Sequence, residues 1–140
     1  MNTTTSIGAY NPMCSYALKV YPKNYLIVSY KLAKKLGLTK SVEWILFGNC
    51  TAEDGKLLIF ISKGNPYNPD ESFIAHRQAD NTYIVQEDRM TRYDALCDEL
   101  RVHYGFDTSQ STVLTVKVSE PFGIVDHEYD CFKIKRWVSK

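Results

Sequence analysis

The sequence predicts a compact α+β domain that is rich in β-strand and contains two helices. Many apolar residues fall in short runs, and several of these alternate with polar residues at the two-residue period of a strand. Two other segments carry apolar residues at helical spacing. With 140 residues, 44% of them hydrophobic, one domain can bury a core without needing disulfide bonds.

The first half predicts two hairpins on either side of a short helix. Ser29 can cap this helix and Gly37 can close it, while Leu32 and Leu36 share its apolar face. The alternating or apolar runs before and after it predict four strands, at residues 15–21, 25–28, 42–47 and 57–61.

The second half begins with a segment, residues 63–80, that is rich in Gly, Pro, Asn and Asp. This composition predicts a linker, with at most a short ordered stretch at residues 73–76. The longest helix is predicted over residues 89–104, with Gly105 ending it. Three strands are expected in this half, at residues 82–86, 111–118 and 131–138.

Both halves place a strand, a helix, a strand, a turn and a strand in the same order. Each helix also has a tyrosine, Tyr30 or Tyr93, followed by two leucines four residues apart. One interpretation is an internal duplication with repeats at 15–62 and 81–140, and the other is coincidence between two similar stretches. The residues before this single domain of 15–140 are rich in Thr and Ser, and they predict a flexible N-terminal arm over residues 1–14.

Cysteine usage and hydropathy predict a cytoplasmic protein. The N-terminal residues lack the basic and apolar regions of a signal peptide, and no run of 18 apolar residues would span a membrane. The four cysteines form no Cys-X-X-Cys pair, so we expect reduced thiols. The expected compartment is the cytoplasm of a bacterium or of a host cell that a virus occupies.

Charge is unevenly distributed along the chain. The first forty residues hold six lysines and no acid, which gives a formal charge of +6, whereas the remaining hundred residues carry −5. This favours a polyanion or an acidic partner. A solvated helix face is the alternative explanation for the lysines.

Residues 19–61 contain the stretch Asn24 to Ser29, then Leu32, then Leu36-Gly37-Leu38, followed by a hairpin. This pattern resembles the hairpin–helix unit of the AbrB-like transition-state regulators, which bind DNA. Asn24 stands where that family has glycine, Tyr25 where it has arginine, and Ser29 where it has proline. The resemblance implies two such units interleaved into one small barrel, supplied by a homodimer or by one duplicated chain acting as a pseudo-dimer.

The resemblance also implies a DNA-binding transcriptional regulator whose basic edge faces the nucleic acid. Lysines on phosphates would give affinity without reading sequence, so binding should weaken steeply with salt. The residues expected at this interface are Lys19, Lys23, Asn24, Tyr25, Lys31, Lys34 and Lys35. Tyrosines that interleave with these lysines suggest a second hypothesis, a stacking platform for single strands, although ordinary packing also explains them.

Catalytic and cofactor signatures are absent from the sequence. It has no phosphate-binding loop, dinucleotide-binding glycine motif, nucleophile elbow or zinc-protease motif, so we expect no enzyme and no cofactor. Residues 126–131 gather three acids, His127 and Cys131, but no second ligand pair accompanies them, so an acidic turn is expected rather than a metal site. The alternative function is a small phage or bacterial protein that binds and inhibits a host protein.

Overall fold

A computed structural model describes residues 15–22, 25–65, 72–85, 90–107 and 109–136. Over these residues eight antiparallel strands close into a barrel, accompanied by two helices. This confirms the prediction of a β-rich, barrel-like domain with two helices. The predicted arm, residues 1–14, lies outside the described residues.

The described elements follow one another as two strands, a helix and two strands, and this arrangement occurs twice. The first half contains β1 (Ala17–Tyr21), β2 (Tyr25–Val28), α1 (Tyr30–Leu36), β3 (Val42–Thr51) and β4 (Leu57–Lys63). The second half contains β5 (Ser72–Arg77), β6 (Tyr83–Val85), α2 (Met90–Tyr104), β7 (Thr112–Phe122) and β8 (Cys131–Arg136).

The hairpins of the two halves interleave around the barrel. The strand order is β1-β2-β6-β5-β3-β4-β8-β7, and β7 pairs with β1 to close the barrel. The β1–β2 hairpin therefore lies between β7 and β6, and the β3–β4 hairpin lies between β5 and β8. Exchanging β1–β4 for β5–β8 leaves this cyclic order unchanged.

Residues 72–77 form β5, which contains the short ordered stretch expected at residues 73–76 within the predicted linker of 63–80. β5 pairs with β3 on one side and with β6 on the other, and Phe73 and Ala75 point into the core. The turn-forming residues near this strand obscured a short alternating pattern in the sequence. The strands of the two halves consequently run over 17–63 and 72–136, not over repeats at 15–62 and 81–140.

The predicted ends of α1 are confirmed in detail. The Ser29 Oγ accepts hydrogen bonds from the backbone N–H groups of Leu32 (3.2 Å) and Ala17 (3.1 Å) and donates one to the Ser15 carbonyl (2.6 Å). Ser29 thus caps the helix and also ties it to the start of β1. At the other end Gly37 has a φ of 86°, which places it in the left-handed region that glycine tolerates best.

The two helices lie at opposite ends of the barrel, and both bury apolar residues against its core. α1 lies where β1 begins and buries Leu32 and Leu36. α2 lies where β1 ends, because Arg101 Nη2 donates to the Tyr21 carbonyl at 3.4 Å, and it buries Leu100 among other residues. Within the described residues, neither helix has the length and hydropathy needed to cross a membrane.

Candidate nucleic-acid interface

The lysines that the sequence singled out occupy two separate places. Lys19 lies on the outer face of β1, since its neighbours Leu18 and Val20 are fully buried. Lys34 and Lys35 are exposed on α1, at the end of the barrel where β1 begins. Lys23 and Asn24 fall outside the described residues.

Tyrosine rings hold three of these lysines in defined positions. The Nζ atom of Lys31 lies 4.6 Å from the centroid of the Tyr16 ring, and the Nζ atom of Lys19 lies 5.0 Å from that of Tyr21. Such contacts are worth about 0.5–1 kcal/mol at exposed sites. Lys34 approaches the Tyr30 ring in the same way, at 5.7 Å.

Tyr25, at the predicted interface, stacks on the Tyr21 ring with 4.4 Å between centroids and 6° between planes. The two residues face each other across the β1–β2 hairpin. Tyr16, in contrast, packs against the barrel core. Since Lys19 and Tyr25 both contact the Tyr21 ring, and Lys31 contacts that of Tyr16, packing and lysine placement account for these tyrosines.

The fold adds lysines that the sequence analysis did not assign to this interface. On the outer face of the sheet, Lys117 of β7 lies directly opposite Lys133 of β8, and Lys135 lies opposite Thr115. On its other side β7 pairs with β1, where Lys19 is opposite Val113. We call the outer surface formed by Lys19, Lys117, Lys133 and Lys135 the basic face.

The α1 end contributes a further lysine, Lys31. The Tyr16 carbonyl accepts a hydrogen bond from the N–H of Val116, next to Lys117 in β7. Because the Lys31 ammonium lies over the Tyr16 ring, it lies beside this edge of the sheet. Lys31 therefore lies near the start of β1 at this end of the barrel, whereas the four lysines of the basic face lie on the outside of β1, β7 and β8.

Glu120 is an acidic residue of β7 that lies close to the lysines of this face. Its carboxylate accepts a hydrogen bond from Lys117 Nζ at 2.9 Å, and this bond lowers the pKa of Glu120 from its ordinary value. The charges of Lys117, Lys135 and Lys133 lower this pKa further. Three lysines thus act together on one exposed carboxylate, which is how a bound phosphate would experience them.

The α2 end has the opposite character. Asp98 and Glu99 are exposed there, and Glu99 Oε1 accepts a hydrogen bond from Asn49 Nδ2 at 3.0 Å. Among the described residues of the second half, Asp94, Asp98 and Glu99 lie on this helix, whereas Lys117, Lys133 and Lys135 lie on the basic face together with one acid, Glu120. Charge is therefore distributed differently in space than along the chain, because β7 pairs with both β1 and β8 and so brings the lysines of β8 within two strands of Lys19.

The acidic turn before β8 is held to the barrel by His127. The Nε2 atom of His127 and the Oγ atom of Ser62 are 2.8 Å apart, and this Oγ also donates to the Asp130 carbonyl at 2.7 Å. Ser62 is fully buried in β4. No group of three or more His, Cys, Asp or Glu residues suited to a metal ion is present among the described residues.

Comparison of the chain with protein families, with curated proteins and with solved structures finds no match.

Proposed function

We propose that this chain binds nucleic acid through its basic face and acts as a DNA-binding regulator of AbrB-like type. The observation that carries the proposal is the pairing of Lys117 with Lys133. Like charges directly opposite each other in a sheet destabilise it. Glu120 offsets part of this repulsion at Lys117. A phosphate backbone would relieve the rest, because lysines that neutralise phosphates release condensed counterions.

The spacing of the basic face suits a phosphate backbone. Neighbouring strands lie about 4.8 Å apart and alternate residues on one strand about 7 Å apart, so these lysines cover a patch of roughly 10 Å across the strands and about 14 Å along them. The face carries lysine rather than arginine, and lysine acts as a point charge without bidentate base recognition. We therefore expect affinity with little dependence on sequence.

The strand order supports the AbrB-like interpretation of the fold. The resemblance implies two hairpin–helix units that interleave in one barrel, and the order here is unchanged when the halves are exchanged. In this interpretation one duplicated chain supplies both units as a pseudo-dimer. The two units have diverged in charge, since α1 carries Lys31, Lys34 and Lys35 whereas α2 exposes Asp98 and Glu99.

The test is fluorescence anisotropy with labelled random duplex and single-stranded DNA, titrated at several salt concentrations. The wild-type protein should bind, with an affinity that falls as salt rises. Replacing Lys133 and Lys135 by alanine should weaken binding to all sequences alike and reduce the salt slope by about two.

Two matched variants locate the interface. The Lys34→Ala/Lys35→Ala protein loses the same charge from α1, and Lys56→Ala removes an exposed lysine from the β3–β4 turn. We expect the α1 variant to lose less DNA affinity than the Lys133→Ala/Lys135→Ala variant, and Lys56→Ala to lose none. An absence of binding at low salt would refute the proposal. An equal loss of binding free energy per lysine in all three variants would refute the assignment of the interface to the basic face.

A second candidate function is binding to a host protein through α2. Val102 is 84% exposed and follows the acidic residues Asp98 and Glu99 on this helix. An exposed apolar side chain beside acids suits a partner with a basic, apolar groove. Capture of one stoichiometric partner from bacterial lysate, lost in Val102→Asp but kept in the basic-face variant, would support this function over DNA binding.

A further inference from the structure

The outer surface of four neighbouring strands, β2, β6, β5 and β3, is apolar. Ile27 of β2 lies directly opposite Ile84 of β6, and Trp44 of β3 lies directly opposite Ile74 of β5. Because side chains alternate between the two faces of a strand, these four point away from the core when their neighbours along the chain point into it. Those neighbours include the buried core residues Leu26, Val28, Ile45, Phe73, Ala75, Tyr83 and Val85.

Two more residues join these side chains into one patch. Val42 of β3, which is 51% exposed, lies opposite His76 of β5, and His76 lies opposite Ile84. One row of side chains therefore crosses all four strands, and the pair on β5 and β3 forms a second row beside it. We call this surface the apolar face, and its residues are Ile27, Val42, Trp44, Ile74, His76 and Ile84. They include no lysine, arginine, aspartate or glutamate.

The apolar face and the basic face lie on opposite sides of the barrel. In the closed strand order, β5 is four strands from β7 and β6 is four strands from β8, in either direction around the barrel. The apolar face is centred on β6 and β5, and the basic face on β7 and β8. Two copies that meet through their apolar faces therefore keep their basic faces as far apart as the barrel allows, whereas contact between two basic faces would be repulsive.

The closure of the barrel also limits how two copies can join. Since the described strands form a closed ring, they leave no strand edge for another chain to pair with, and association has to use an outer face. Neighbouring strands lie about 4.8 Å apart and alternate residues about 7 Å apart, so the two rows cover roughly 250 Å² when side chains are included. A standard interface buries about 800 Å² on each partner. The apolar face therefore suits the centre of a weak, reversible interface with polar residues around it.

We propose that two copies of this chain associate through their apolar faces into a homodimer whose basic faces point in opposite directions. The interface is the same patch on both copies, related by a two-fold axis. Isoleucine and tryptophan side chains of one copy pack against those of the other, which removes apolar surface from water. A charged partner finds no counter-charge on this face, so the face fits a second copy better than it fits nucleic acid or an acidic protein.

Sedimentation velocity without nucleic acid tests the dimer separately from DNA binding. The wild-type protein should change reversibly from monomer to dimer as its concentration rises to several hundred micromolar. Ile84→Glu should raise the dissociation constant of the dimer about tenfold or more, because it places a charge at the centre of the interface on both copies. Val102→Glu is the matched control, since Val102 is 84% exposed on α2, outside the apolar face, and this variant should dimerise as the wild type does.

A second variant covers the case in which Ile84→Glu does not fold. Ile74→Thr keeps a β-branched side chain, which suits a strand, but removes apolar surface from the second row. It should raise the dissociation constant by a smaller factor than Ile84→Glu. Circular dichroism and thermal unfolding establish which variants are folded. A protein that stays monomeric at every concentration would overturn the proposal, as would a dimer that the folded variants leave unchanged or that Val102→Glu weakens equally.

The opposite directions of the two basic faces are tested with DNA, and this part rests on the proposed function. An immobilised short duplex should retain a second, fluorescently labelled duplex through the wild-type dimer, which holds one duplex on each side. At the same concentration the Ile84→Glu protein should bind the immobilised duplex but retain little of the labelled one. If no variant binds DNA, the proposed function fails while the sedimentation result decides the dimer. Binding by a dimer that retains no second duplex would overturn the opposite placement of the basic faces.

Discussion

Packing on the outside of the barrel depends on Gly48. This residue lies opposite Phe60 in the β3–β4 pair, and a Cβ atom at position 48 would lie 2.5 Å from the Phe60 Cζ atom. The ring therefore lies over the glycine. Phe60 is 3% exposed and packs edge-to-face on Phe122, with 5.6 Å between centroids. Together with Leu46 and Cys131 it forms a small second core outside the barrel.

Substitution of Gly48 by alanine should destabilise the protein by about 1–3 kcal/mol, the usual cost of overpacking. Urea denaturation measures the change. Gly123→Ala is the matched control, since a Cβ atom there meets nothing within 4 Å. The cost of Gly48→Ala should fall in a Phe60→Leu background, because the smaller side chain can move aside. Equal costs in the two backgrounds would show that the ring is not the obstacle.

At the scale of single elements, α2 is joined to the barrel through groups that must remain protonated. Burial raises the pKa of the Cys97 thiol to about 12 and raises that of Tyr104 as well. The Tyr104 hydroxyl donates to the Ile134 carbonyl at 2.5 Å. Ionisation of either group is unfavourable while α2 is packed, so alkaline pH favours the unfolded chain.

Cys97 should make stability fall at alkaline pH. Its ordinary pKa is 9.0, so between pH 9 and about 12 the unfolded chain loses the thiol proton while the folded chain keeps it. The free energy of unfolding should then fall by about 1.4 kcal/mol per pH unit from this group, and below pH 9 the group has no effect. Denaturant titrations under reducing conditions measure this slope. Cys97→Ala should reduce this slope by about 1.4 kcal/mol per pH unit, and an unchanged slope in this variant would show that another group is responsible.

The individual elements could be predicted from the sequence because their signals are local. The cap at Ser29, the stop at Gly37 and the alternation of Leu114 and Val116 all agree with the structure. β5 was expected only as a short ordered stretch because its six residues follow a segment rich in turn formers. The pairing of strands could not be predicted in this way. A strand was predicted at residues 131–138, but nothing in the sequence near Lys133 indicates that β8 lies next to β7 and two strands from β1.

For the whole molecule, the strand order makes the two halves depend on each other. Within each half the strands pair only as hairpins, β1 with β2 and β3 with β4 in the first, and β5 with β6 and β7 with β8 in the second. Every contact between hairpins in the described barrel joins strands from different halves. An isolated hairpin is marginally stable in water at best. Neither half therefore has a barrel of its own to fold into.

Half-chains of residues 1–65 and 66–140 should consequently not fold as isolated monomers. Each alone should show no cooperative unfolding as a monomer, because all of its hairpins lack their neighbours. Mixed or co-expressed, the halves should form a one-to-one complex with the circular dichroism spectrum of the intact chain. Size-exclusion chromatography with light scattering gives the stoichiometry, and thermal unfolding gives the cooperativity.

A folded homodimer of either half would show that one half can take the place of the other, as the AbrB-like interpretation expects. A monomeric half that unfolds cooperatively would contradict the interleaved barrel, because its strands would have to pair in another order.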